Sequence, residues 1–255
     1  MLEIVQIPVL SDNYIYLLRD GQSAAVAVVD PAEAGPVFEV LGRRGWRLDY
    51  ILNTHHHGDH VGGNLDLKRA TGCRVLAAAT DAARIPGIDR GLADGEEILL
   101  GGERAKVLAV GGHTRGHIAY WFAGQDALFC GDTLFSLGCG RLFEGSAEQM
   151  WASLDTIRKL PAATRIYCAH EYTQANGRFA RTVEPGNPAL QQRLAEVDRL
   201  RAGGWPTVPS TLQGELETNP FLRPESPEIR QRLGLQDALN WQVFAKLRES
   251  KDGFR

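Results

Sequence analysis

The chain has 255 residues, 44% of them hydrophobic, and a formal net charge of −3. That length suits one core plus a modest appendage, and the charge gives no electrostatic basis for binding nucleic acid or a membrane surface. No apolar run approaches the ~18 residues of a spanning helix. The start, Met1-Leu2-Glu3-Ile4-Val5-Gln6, lacks a basic segment, so no secretory signal is expected. Cys73, Cys130, Cys139 and Cys168 form no C-x-x-C pair, and three lie in or beside apolar segments. Reduced thiols in a cytoplasmic protein are the expectation.

In chain order, residues 4–10, 14–19 and 24–30 read as β-rich strands parted by Ser-Asp-Asn and Asp-Gly-Gln turns. A helix is predicted over 35–44, a strand ending at Thr54, a helix over 61–70 and a strand over 74–78. Strands over 105–110, 118–122 and 127–130 follow. An amphipathic helix over 147–160 carries Met150, Leu154, Ile157 and Leu160 on one side, and a last strand is predicted over 165–168. Beyond residue 172 the β signal ends. Helices are predicted over 190–200, 226–233 and 237–249, with prolines breaking the segments between. The mixture predicts an α+β protein whose sheets are covered by helices.

The strand Tyr50-Ile51-Leu52-Asn53 runs into Thr54-His55-His56-His57-Gly58-Asp59-His60 and then Val61-Gly62-Gly63-Asn64. Four of the seven histidines of the chain stand in this His-x-His-x-Asp-His pattern. Imidazole and carboxylate suit zinc, iron and manganese, and the cluster is internal, unlike an expression tag. Three further segments each put a ligand type after a strand: Gly111-Gly112-His113-Thr114-Arg115-Gly116-His117, Phe129-Cys130-Gly131-Asp132-Thr133 and Ile166-Tyr167-Cys168-Ala169-His170. Singly, an Asp or His after a strand is most often a turn or structural residue. As a series they are consistent with ligands delivered to one sheet edge. No G-x-S-x-G elbow is present to support serine chemistry.

Together, His55-x-His57-x-Asp59-His60, His113, Asp132 and His170 resemble the metallo-β-lactamase superfamily. The resemblance extends to the glyoxalase II (hydroxyacylglutathione hydrolase) family. It is carried by residues 54–64, Gly131-Asp132-Thr133-Leu134-Phe135, Gly138-Cys139-Gly140-Arg141, Phe143-Glu144-Gly145 and Ala169-His170-Glu171-Tyr172-Thr173. Val183-Glu184-Pro185-Gly186-Asn187, Glu217-Thr218-Asn219-Pro220-Phe221 and Arg248-Glu249-Ser250-Lys251-Asp252 add to it, so it covers essentially the full length. The implied fold is a metallo-β-lactamase-like αββα sandwich over residues 1–172 with a C-terminal helical, glutathione-binding domain over 173–255.

The resemblance implies two divalent metal ions, zinc first, with iron or manganese as alternatives. His55, His57 and His113 would hold one, Asp59, His60 and His170 the other, and Asp132 would bridge them. His56 and His117 become neighbours rather than ligands, with Asp30 a supporting partner. Asp59 and Asp132 are the expected catalytic acids, with hydroxide between the ions attacking a thioester carbonyl. Arg141, Phe143, Tyr172, Arg248 and Lys251 match the family's glutathione-holding positions. Two of them depart from its pattern: Arg141 stands where Lys is frequent, and Phe143 where Tyr is frequent. Arg keeps the charge, whereas Phe loses a hydroxyl and is left with packing. Trp241, Phe244, Arg248 and Lys251 share one helical face by their spacing.

The expected reaction is hydrolysis of S-D-lactoylglutathione to D-lactate and glutathione, the second step of methylglyoxal detoxification, by a monomer with no nucleic-acid or membrane partner. A persulfide dioxygenase-like iron enzyme, or another hydrolase of the same fold, is the alternative.

Overall fold

Val, Ile, Leu and Tyr dominate the first segments of the chain and tight turns part them, which favours strands. In the computed structural model, which describes residues 1–254, they form β1 (Leu2–Val9), β2 (Asn13–Asp20) and β3 (Val26–Val29). β1 pairs antiparallel with β2, placing Val9 opposite Asn13, and β2 pairs antiparallel with β3. After α1 (Ala34–Arg44) the chain returns as β4 (Tyr50–Leu52). After α2 (Gly58–Val61) and α3 (Asn64–Thr71) it returns as β5 (Arg74–Ala78). β3, β4, β5 and β6 (Ile88–Leu92) pair in parallel, and the intervening helices supply the crossovers such neighbours need.

The single helix expected over 61–70 is two helices, broken at Gly62-Gly63. A Cβ at position 62 would lie 2.4 Å from the Ala32 carbonyl oxygen, while Gly63 donates its N–H to Pro31 O at 2.8 Å. Glycine alone lets this turn press against the loop that follows β3.

By backbone packing the chain forms two units: Met1–Ala109 with Arg115–Gly131, and Val110–Thr114 with the residues from Asp132 onward. The first unit also contains β7 (Glu97–Leu100), β8 (Glu103–Ala109), β9 (Ile118–Phe122) and β10 (Ala127–Gly131). These four pair in the order β10-β9-β8-β7. Charged residues such as Asp89, Arg90, Glu96 and Glu97 hid β6 and β7 from the sequence pattern. The central strands are buried on both faces, as parallel strands usually are. Ile15, Leu17, Val28, Ile51 and Val75 pack with Val37, Val40, Leu41 and Leu67 of the helices. On the opposite face Tyr16 meets Phe129 edge-on at 5.5 Å, and the Tyr120 hydroxyl reaches Asn53 O at 3.0 Å.

The second unit contains β11 (Leu134–Phe135), β12 (Gly138–Cys139), α4 (Ala147–Arg158), β13 (Arg165–Cys168), α5 (Thr173–Val183) and α6 (Pro188–Ala202). It ends with β14 (Ser210–Thr211), α7 (Leu212–Thr218), α8 (Pro227–Leu233) and α9 (Asn240–Asp252). β14 corrects the expectation that strands end by residue 172: it pairs antiparallel with β13, Arg165 opposite Thr211. Two residues are too few to show alternation. α5 was missed because Asn176 and Gly177 are weak helix formers. Packing overrides them, since a Cβ at Gly177 would fall 2.4 Å from Leu194 Cδ2. α9 buries Val243, Phe244, Leu247 and Arg248, with Phe244 against Trp151 and Phe221. Trp241 is only half-buried, so the buried stripe is rotated from the one the spacing suggested.

The four cysteines are buried and free. Burial pushes the Cys139 thiol up to about 11 and the Cys168 thiol to about 12. Among the described residues no helix is long and apolar enough to cross a membrane.

Glu184 ties the end of α5 to the segments that follow. Its carboxylate accepts both Arg223 Nε and Nη2 at 2.9 Å, Asn187 Nδ2 at 3.0 Å, and the Ser226 hydroxyl. Burial alone would raise its pKa, but hydrogen bonds from Arg223, Ser226 and Asn187 outweigh it and leave the carboxyl below its ordinary 4.5. Its contribution to stability is therefore complete above about pH 4.5 and is lost as pH falls through the lower folded value. In urea titrations between pH 6 and 3, Glu184→Gln should be less stable at pH 6 and lose less on acidification. An acid slope equal to that of the unaltered chain would exclude this role.

Candidate metal centre

Asp30 follows β3 directly in a left-handed conformation, φ 48°, and is 3% exposed. Its Oδ1 accepts the Thr54 N–H at 2.7 Å, and its Oδ2 accepts the Thr54 hydroxyl at 2.6 Å. His60 Nδ1 lies 3.0 Å from the same Oδ2. An Nδ1–H donated there turns His60 Nε2, a nitrogen that could ligate an ion, toward Asp59 Oδ2 at 3.5 Å. The Thr54 hydroxyl, having given its proton to Asp30, accepts from His55 Nδ1 at 3.1 Å. His55 Nε2 is then left 3.0 Å from His57 Nδ1. One buried carboxylate thus sets the tautomers of two histidines.

Neighbouring groups hold the rest of this loop. Asn13 donates to Asp59 Oδ2 at 3.0 Å and to its carbonyl oxygen at 3.3 Å. Asn53 donates to His60 O at 3.0 Å and accepts from Asn64 at 2.7 Å. His117 is buried and stacks on His55, centroids 4.6 Å apart at 18°. His56 points elsewhere, to Asp81 and Arg84.

The second unit carries its own donors. The loop bearing His113 is held by Thr133, which donates to Val110 O at 3.0 Å, and by Ser153, which donates to Gly111 O at 2.7 Å. His113 Nδ1 donates to Arg141 O at 2.8 Å, so its Nε2 is the nitrogen that could ligate an ion. That Nε2 stands 3.4 Å from Asp132 Oδ2, and His170 Nε2 stands 3.4 Å from Asp132 Oδ1. Each oxygen of one carboxylate therefore faces a different histidine. Two ligand atoms about 2.0–2.1 Å from one ion at a tetrahedral angle stand roughly 3.4 Å apart. The spacings within each unit fit that requirement, and the donor chemistry fits a borderline divalent ion.

Around these donors, Tyr172 stacks on His170 at 4.7 Å and 3°, and Phe143 packs edge-on to His113 at 5.1 Å. Arg141 lies over the Phe143 ring at 5.1 Å and pairs with Asp252 at 3.7 Å. Lys251 Nζ lies near the Phe179 and Phe254 rings. Arg248 is 5% exposed, with Nη1 donating to Cys139 O at 2.8 Å and Nη2 to Asp252 at 3.0 Å.

Residues 10–170 match the model of the metallo-β-lactamase superfamily, and residues 171–254 match that of the hydroxyacylglutathione hydrolase C-terminus. A hydroxyacylglutathione hydrolase of Methylococcus capsulatus is 66% identical over all of both chains. One of Rhodospirillum rubrum is 54% identical over 99% of each. The chain belongs to the hydroxyacylglutathione hydrolase family. Among solved structures, ETHE1 from Myxococcus xanthus superposes with a TM-score of 0.68, 22% identity and 98% coverage of both chains, which shows the shared fold. A protein solved in a di-iron-bound form has a TM-score of 0.62 and 25% identity, covering 86% of this chain and 100% of that one.

For a hydroxyacylglutathione hydrolase the sequence motifs pick out the ligand-type residues, but not their supports. Asn13 and Asp81 act from distant segments, whereas Asn53 and Asn64 flank the histidine run and carry no metal-ligand signal of their own. Alanine at Asp30 should lower metal affinity by about 10–100-fold, read by competition with a chromogenic chelator. Affinity equal to that of the unaltered chain would remove Asp30 from this role.

Proposed function

We propose that this chain hydrolyses S-D-lactoylglutathione and related S-2-hydroxyacylglutathiones to the hydroxy acid and glutathione, the second step of methylglyoxal detoxification. The observation that carries the metal assignment is Asp132, whose two oxygens each face one histidine at 3.4 Å. In this reading His55, His57 and His113 hold one divalent ion, Asp59, His60 and His170 hold a second, and Asp132 is shared. Zinc is our assignment, and iron and manganese are the other ions such donors take. Bound there, the ions would supply Lewis acidity and lower the pKa of a coordinated water.

The chain's own residues supply the rest. Asp59, tied by Asn13, is placed to orient the attacking water. We assign residues 1–172 as the catalytic module and 173–255 as the helical glutathione-binding module, acting as a cytoplasmic monomer. Arg141 and Lys251 offer cations to the carboxylates of glutathione, and Tyr172 offers its hydroxyl. Phe143 contributes by packing on His113 and under Arg141. Arg248, 5% exposed, supports the substrate-holding residues indirectly by bracing Cys139 and Asp252. A persulfide dioxygenase is the weaker reading because the second ligand set, Asp59, His60 and His170, is complete.

Purified, metal-loaded protein should cleave S-D-lactoylglutathione, and Asp132→Ala should lower turnover by at least about 10³-fold with loss of bound metal. No cleavage of any glutathione thioester, or oxygen uptake with glutathione persulfide instead, would overturn the assignment. Lys251 has its pKa lowered by burial and then by the like charges of Arg248 and Arg178. It therefore loses its proton below the ordinary 10.5, so KM should rise with pH before that value. Lys251→Arg, protonated throughout, should flatten the rise; the same alkaline rise in KM with arginine would exclude Lys251 as its source.

A further inference from the structure

His56 is the one histidine of the run that the metal reading leaves without a task, and its surroundings are built with care. After β5 the chain makes a 3-10 turn, Ala79–Arg84, that carries Asp81 inward to 2% exposure. Asp81 Oδ2 lies 3.1 Å from His56 Nδ1, and Asp81 Oδ1 accepts Arg84 Nη2 at 2.5 Å. Arg84 Nη1 lies 3.1 Å from His56 Nε2. A guanidinium can only donate, so Nε2 is the acceptor and Nδ1 carries the proton given to Asp81. The ring is gripped at both nitrogens.

The same carboxylate abuts a third segment. A Cβ at Gly116 would stand 2.2 Å from Asp81 Cγ, so the backbone next to His117 lies directly against it. His117 in turn stacks on His55. Asp81 therefore touches the histidine run at His56 and, at Gly116, the segment that leads to His117, which stacks on His55.

We propose that Asp81 is a positioning residue for the metal centre, acting through His56. The reason is its place in the chain: His56 stands between two ligand-type residues whose ring nitrogens are 3.0 Å apart, and its own ring centroid lies 4.9 Å from that of His57. At His57 the backbone is extended, φ −60° and ψ 146°. Holding the His56 ring at both nitrogens fixes the peptide units it shares with His55 and His57, and so the direction from which each neighbouring ring leaves the backbone. Without that anchor the run can rotate, and the middle imidazole competes with its neighbours as a donor. This inference rests on the metal-centre reading.

The test measures metal affinity by chelator competition and bound metal per chain by elemental analysis, with the melting temperature of the metal-free protein as a folding control. Asp81→Ala and His56→Ala should each weaken binding by about 10–100-fold, the range for groups that orient a ligand. His56→Ala leaves the Asp81–Arg84 pair in place and so guards against a folding defect. His56→Asn, whose amide can donate to Asp81, should restore affinity to within about threefold of the unaltered chain. The double alanine variant should be no weaker than Asp81→Ala alone, because both changes remove one strut. Affinity within twofold of the unaltered chain in both single variants, or losses that simply add, would overturn the proposal. Two equivalents bound by the unaltered chain support the metal reading whatever the variants do. Failure of that chain to bind metal would overturn both.

Discussion

Asp30 carries a carboxylate to a site of 3% exposure, where a charge costs several kcal/mol unless donors surround it. The Thr54 N–H, the Thr54 hydroxyl and His60 Nδ1 are those donors. Satisfying this one group dictates which nitrogen of His60 faces outward and, through Thr54, which nitrogen of His55 does. The first half of the donor set follows from a need that has nothing directly to do with catalysis. The strand order brings the partners together: β3 and β4 are parallel neighbours, so the residues after both strands emerge on one side of the sheet. Ligand sites in open α/β sheets form at such strand ends for the same reason.

The second unit solves a similar problem differently. His113 is oriented by a backbone carbonyl, that of Arg141, and His170 by stacking on Tyr172. That leaves Asp132 with its two oxygens turned to two different histidines, the arrangement a shared ligand requires. The aromatic and cationic residues of this unit then form a wall beside the donors. Arg141 spreads over Phe143, and Lys251 lies among Phe179 and Phe254. Arg248 is different in kind: buried and held by Cys139 and Asp252, it stabilises the wall from behind.

The strands over 74–78, 118–122 and 165–168 have the bounds that their apolar runs indicate, because a buried strand needs a continuous apolar stretch. β6, β7 and α5 were not legible. The two strands carry surface charges that break the pattern, and α5 contains an Asn-Gly pair whose cost is offset by contact with Leu194. The same division holds at the centre. Histidines and aspartates at metal-ligand spacing are visible as letters, whereas Asn13 and Asp81 are ordinary letters until the fold brings them beside the loop.

The sequence by itself determined the chemistry: a concentrated His/Asp set, its placement after strands, a resemblance that runs the full length, and a basic, aromatic end. Ligand identity is a property of residue type and local spacing, so it survives in one dimension. Only the tertiary structure decided which nitrogen each imidazole presents, that His56 turns to Asp81 while His55 and His57 turn together, and that Arg248 lies inside rather than at the surface. Those outcomes depend on hydrogen-bond partners tens of residues away, and separation along the chain carries no record of them.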